Sequence, residues 1–135
     1  MSTALQQLAA WCSNQPVRLC VLFGSRARGS AMATSDYDLA IRLTDQIAPL
    51  ERLVWQNAIE TLLNTDVSLV FLSEQTDPVL GWEIARDGRL IYEAQPEIWA
   101  NERARLWHLY NDALPFRRGL AESLRRYAED IRHAS

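Results

Sequence analysis

Lysine is absent from this chain: every one of its 14 basic residues is Arg. A bias of the coding genome explains that as readily as function does. Either way, no Lys nucleophile or Lys phosphate clamp is available, and a basic contact to phosphate must come from a guanidinium. Cysteine is scarce too. Cys12 and Cys20 are too far apart for a Cys-x-x-Cys motif, and the two His residues form no cluster, so neither a zinc site nor a redox motif is suggested. Buried free thiols are the plain expectation.

No segment reaches the roughly 18 apolar residues of a membrane span, and the N-terminus lacks the basic start and apolar stretch of a signal peptide. A cytoplasmic protein with no membrane partner is therefore expected. Nor is there a basic excess. The formal net charge of −3 gives no general attraction for nucleic acid. Fixed-period repeats, low-complexity tracts and Gly/Ser linkers are missing as well.

What remains is a globular composition. With 135 residues, 48% hydrophobic and 23% charged, the chain fits a single domain over 1–135, large enough to bury a core without staples. Its periodicities predict an α/β (α+β) order. Residues 3–13 read as a helix ended by Asn14-Gln15-Pro16, and "VRLCVLF" over 17–23 as a strand. A short helix is expected over 26–30. In "YDLAIRL", residues 37–43, Tyr37, Leu39 and Ile41 point one way and Asp38, Ala40 and Arg42 the other. From 47 to 63 the positions Leu50, Leu53, Val54, Ala58, Leu62 and Leu63 suggest an amphipathic helix lying on the sheet through that face.

A third strand is expected over 66–72, a short helix over 78–85, a turn at Asp87-Gly88 and an edge strand over 89–92. Helices over 97–113 and 116–133 are expected to be separated by Pro115, forming an extension to a core of about 1–93. Phe116, Leu120, Leu124, Tyr127 and Ile131 make one stripe on the second helix. Core packing is its plain reading and a partner face the alternative, with Trp99, Trp107 and Tyr110 adding aromatic surface. His108 and His133 read as solvated.

The chemistry gathers in "VLFGSRARGSAMATSDYDLAI", residues 21–41. Asp36 and Asp38 stand two apart on a strand, so their carboxylates share a side and repel unless a cation or proton lies between them. Gly24-Ser25, at the end of the preceding strand, offers a backbone without a side chain and a hydroxyl, which suits phosphate. Asp66 opens the following strand. Three carboxylates beside a phosphate-binding turn would hold one or two Mg²⁺ ions and a triphosphate.

Gly24-Ser25, ten residues, then Asp36-Tyr37-Asp38, set within "GSRARG" and "SDYDLAI", resembles the minimal nucleotidyltransferases of the DNA polymerase β-type superfamily. The likeness runs from Val17 to about Tyr92. It implies a small mixed β-sheet of the nucleotidyltransferase type flanked by helices, with a C-terminal helical extension. It also implies ATP as substrate, two Mg²⁺ ions on Asp36, Asp38 and Asp66, and the β- and γ-phosphates on Gly24 and Ser25. Arg28 is the favoured further phosphate contact; Arg26 is as well read as a solvated charge.

The resemblance further implies an antitoxin that transfers AMP to a tyrosine of a HEPN ribonuclease toxin, its partner in a hetero-oligomer. Two alternatives stay open: a toxin-binding module without catalysis, and an enzyme acting on a small aminoglycoside-type hydroxyl compound. Each acidic residue also has a plain reading, Asp36 as a turn residue and Asp66 as the close of a helix-to-strand turn.

Overall fold

The computed structural model describes residues 2–29 and 36–134, without the side chains of 116, 117, 133 and 134. Helix α1 (Thr3–Ser13) is capped by the Ser2 hydroxyl, which accepts from the Leu5 N–H, and leads into β1 (Val17–Phe23). A five-residue helix α2 (Gly24–Arg28) follows at once, so the expected short helix starts two residues earlier; Ser30, its expected end, lies outside the described residues. Next come β2 (Tyr37–Leu43), α3 (Pro49–Leu63), β3 (Val67–Phe71), α4 (Pro78–Asp87), β4 (Arg89–Glu93) and α5 (Ile98–Ala134).

The sheet order is β3-β2-β1-β4. β1 runs antiparallel to β2 and β4, while β2 and β3 are parallel, joined through α3. The sheet is therefore mixed and flanked by helices, with β4 at an edge. Alternation along β2 sorts its side chains as expected. Tyr37, Leu39 and Ile41 join Leu8, Cys12, Trp55, Ile59 and Leu63 beneath α1 and α3. Ala40 joins Leu19, Val21 and Phe23 beneath Ile84 and Ala85 of α4 and Ile98 and Leu106 of α5. Both cysteines are free and buried, and a hydrogen bond with Cys12, followed by burial, pushes the Cys20 thiol up.

Helix α3 is turned away from the orientation its apolar spacing suggests. Trp55, Ile59 and Leu63 are buried, whereas Leu50, Leu53 and Val54 are more than 60% exposed. The cause is what the buried face gains. Trp55 meets Trp11 edge-on with ring centroids 5.2 Å apart. Gln56 Nε2 donates to the Val67 carbonyl (2.7 Å) and the Val67 N–H donates to Glu60 Oε2 (3.2 Å). Trp55, Gln56 and Glu60 of α3 are thus committed to Trp11 and β3.

The break expected at Pro115 does not occur: α5 runs unbroken through it. Proline removes one N–H and so one intrahelical bond; a solvated helix can leave the freed carbonyl to water. The stripe beyond it is not core either. Leu120, Leu124, Tyr127 and Ile131 are 49–66% exposed, because no described element passes beneath them. By contrast Trp99 packs on the α4/α5 core and Tyr110 stacks on Trp82 (5.0 Å, 19°), leaving Trp107 as the exposed ring of the three.

Candidate active site

β1 ends where α2 begins, and that junction faces the start of β2. Phe23 pairs with Asp38 across the antiparallel ladder, so the next residue, Gly24, comes up beside the Asp38 side chain. Gly24 has φ +72, a left-handed backbone that favours glycine. A Cβ there would collide with Asp38 Oδ2. Ser25 is the second residue of α2, and Gly29, also left-handed at φ +75, ends the helix.

Asp38 is half-buried at the start of β2 and Asp36 is exposed just before it. Burial, and then the neighbouring Asp36 carboxylate, push Asp38 above the ordinary carboxylate range; Arg28 offsets part of this. Arg28 Nη1 lies 3.3 Å from Asp87 Oδ2 at the end of α4. Asp87 is shared, since Arg86 binds it through two hydrogen bonds of 3.1 and 2.8 Å that hold its carboxyl below the usual range. Arg26 takes another direction, its guanidinium 4.1 Å over the Tyr37 ring.

Asp66 precedes β3 by one residue, and its carbonyl accepts from the Tyr37 N–H (3.2 Å). In the parallel register Tyr37 pairs with Val67 and Asp38 with Ser68. Asp66 is therefore level with Asp36, and a serine stands beside Asp38. Among the described residues no group of three or more His, Cys, Asp or Glu side chains is arranged to hold a metal ion. The structure thus brings Gly24, Asp36, Asp38 and Arg28 together and sets Asp66 level with Asp36 at the start of the neighbouring strand.

Four contributors escaped the sequence reading. Ser68 is placed by register, Asp87 holds Arg28 from 59 residues away, and Gln56 with Glu60 fix the start of β3. Only the parallel β2–β3 register could have pointed to Ser68; nothing in the local sequence marks the other three. A cleft of about 570 Å³ lies at the far end of β2 and β3, lined by residues that include Arg42, Thr44, Arg52, Phe71 and Gln75. It is remote from the aspartates.

A four-stranded mixed sheet with a Gly-Ser turn facing an Asp-x-Asp strand defines a nucleotidyltransferase-type protein. Residues 6–97 match the family model described as Polymerase beta, Nucleotidyltransferase, and the chain belongs to that family. No curated protein is similar enough in sequence to match it.

Solved structures share the fold over nearly the whole chain. One is a chain from a toxin–antitoxin crystallised with AMP-PNP, 19% identical, covering 91% of this chain and 98% of that one at a TM-score of 0.75. Another comes from a mutant of the toxin–antitoxin MntA-HpeT, 17% identical, covering 89% and 97% at 0.76. A third comes from the tri-AMPylated Shewanella oneidensis HEPN toxin in complex with MNT antitoxin, 18% identical, covering 92% and 98% at 0.69.

Proposed function

We propose that this chain is a Mg²⁺-dependent nucleotidyltransferase that moves AMP from ATP to a tyrosine hydroxyl of a HEPN-type toxin, and so acts as its antitoxin. The observation that carries the chemistry is the approach of the Gly24 backbone to Asp38, with Asp36 alongside. The Asp38 carboxylate takes the space a Gly24 Cβ would need, close to the Asp36 carboxylate that repels it, and hard carboxylate oxygens suit Mg²⁺. Asp36 and Asp38 would hold the metal, with Asp66 as the third acidic residue. When bound, Mg²⁺ would supply charge neutralisation and Lewis acidity at the phosphates.

The chain's own residues then have separate tasks. Gly24 and Ser25 receive the β- and γ-phosphates, and Arg28 turns from Asp87 toward the triphosphate. Asp66 takes the proton of the acceptor hydroxyl. The hydroxyl oxygen bonds to the α-phosphorus as the α–β bridging P–O bond breaks, and pyrophosphate leaves with that bridging oxygen. Position and charge do most of the work.

The protein partner is supported by the shared fold of chains from toxin–antitoxin complexes, one of which contains a tri-AMPylated HEPN toxin. The test is incubation with α-labelled ATP and Mg²⁺, with and without the protein encoded next to it. Label is expected on that neighbour, and Asp36→Asn/Asp38→Asn should abolish it while the two proteins still co-purify. Full protection from the toxin by the double variant would instead favour a binding module, and label on an added aminoglycoside a small-molecule enzyme.

A further inference from the structure

Asp87 closes α4, a place where an acidic residue is disfavoured, because the free carbonyls at a helix C-terminus attract cations and repel carboxylates. Its side chain is nonetheless only 12% exposed. Arg86 binds it from one residue back, Nε to Oδ1 at 3.1 Å and Nη2 to Oδ2 at 2.8 Å, which fixes the plane of the carboxylate. One guanidinium already balances its charge. The further bond from Arg28 Nη1 to Oδ2, at 3.3 Å, therefore does less for Asp87 than for Arg28.

Arg28 has a second claimant close by. It follows Gly24 by four residues on α2, so both share a face of that helix, and Gly24 abuts Asp38. The Arg28 charge already acts on Asp38. Asp36 and Asp38 repel one another, and a guanidinium 47% exposed has the freedom to settle on them and relieve that repulsion as a cation does. Arg26, the other guanidinium of α2, is turned over the Tyr37 ring. We infer that Asp87 is a positioning residue that holds Arg28 off the Asp36/Asp38 pair and so keeps their oxygens open to a divalent cation. The inference rests on the reading of those two aspartates as metal ligands. A guanidinium can meet a carboxylate through two parallel N–H bonds, so the contact that Asp87 prevents is a strong one. Held at α4, Arg28 stays at the mouth of the site without competing for the same oxygens.

Mn²⁺ binding to the full chain without nucleotide, read from the electron paramagnetic resonance of the free ion, tests this. Asp87→Asn should weaken Mn²⁺ binding about five- to tenfold, the effect of a partly exposed ion pair formed at the metal's expense. Arg28→Gln/Asp87→Asn should bind Mn²⁺ as tightly as Arg28→Gln alone, because Asp87 has no bearing on the metal once there is no guanidinium to hold. Unchanged affinity in Asp87→Asn would overturn the inference. So would a loss that persists in the double variant, since that is what a merely structural Asp87 produces. Asp38→Asn should lose the ion altogether. If it keeps the natural affinity, the ligands are misassigned and the inference falls with them, whereas loss in Asp38→Asn beside natural affinity in Asp87→Asn removes the role of Asp87 alone.

Discussion

Gly24 is the residue on which the site's geometry turns. Its left-handed backbone and the collision awaiting a Cβ are independent obstacles to any other side chain. Gly24→Ala should therefore cost more than the roughly 1–2 kcal/mol of the backbone term alone. Urea denaturation checks this, and unchanged stability would mean that the Asp38 carboxylate simply moves aside. Asp38 makes the complementary prediction. Its pKa is raised in the fold, so the protonated form is favoured there, and stability is lost as pH rises from the ordinary carboxylate value through the raised one. In metal-free buffer at neutral pH, Asp38→Asn should melt above the natural chain, the difference vanishing below the ordinary carboxylate range. Mg²⁺ should raise the melting temperature of the natural chain and not of the variant. An identical metal response in both would place the cation elsewhere. The pair and the glycine were legible because a two-residue spacing and a Gly-Ser turn are local signals. Their more distant partners were not: parallel register sets Ser68 opposite Asp38, and Asp87 holds Arg28, both products of tertiary pairing.

At the scale of elements, the strand boundaries were readable from β-branched and apolar runs, and the third strand lost only its terminal residues. Helix orientation was harder. α3 carries two apolar faces, one through Leu50, Leu53 and Val54 and one through Trp55, Ile59 and Leu63, and periodicity cannot choose between them. Trp55 against Trp11 and the two side-chain bonds to Val67 choose. The consequence is measurable. Leu53→Gln should change stability by no more than about 0.5 kcal/mol, whereas Ile59→Ala should cost about 2–5 kcal/mol through the cavity it leaves. Comparable losses at the two positions would mean that the exposed face is covered in solution. α5 shows the same limit of sequence reading. A proline suggested a break, yet its cost of about 3 kcal/mol falls on a helix whose first half is anchored by Ile98 and Leu106 and fitted closely against Gly81 of α4.

Across the whole molecule, the question is whether the two helical layers and the sheet unfold together. Glu102 is the centre of a charge network that joins α5, β2 and the segment after β3. Its carboxylate, 7% exposed, accepts from Arg105 at 2.6 and 3.3 Å, and Arg42 of β2 lies 3.5 Å away. Arg42 and Arg105 reach on to Glu74 after β3, and Arg105 Nη2 also donates to the Ser73 carbonyl at 3.5 Å. Arg42 Nη1 is buried with no hydrogen-bond acceptor of its own, so the charge of Glu102 is what balances it. Removing one member of such a group leaves a cation in poor solvent. Because Arg42 and Arg105 keep about a quarter of their surface in water, Glu102→Ala should cost about 2 kcal/mol, less than a fully buried pair would. The loss should be felt throughout. Trp11 and Trp55 report on the α1/α3 side and Trp82, stacked on Tyr110, on the α4/α5 side. Single-Trp variants of each side, followed by fluorescence in urea, should show coincident transitions that shift together in Glu102→Ala. A shift confined to the Trp82 reporter would mean that α4 and α5 detach from the sheet as a separate unit, with Glu102 as their clasp rather than part of one cooperative domain.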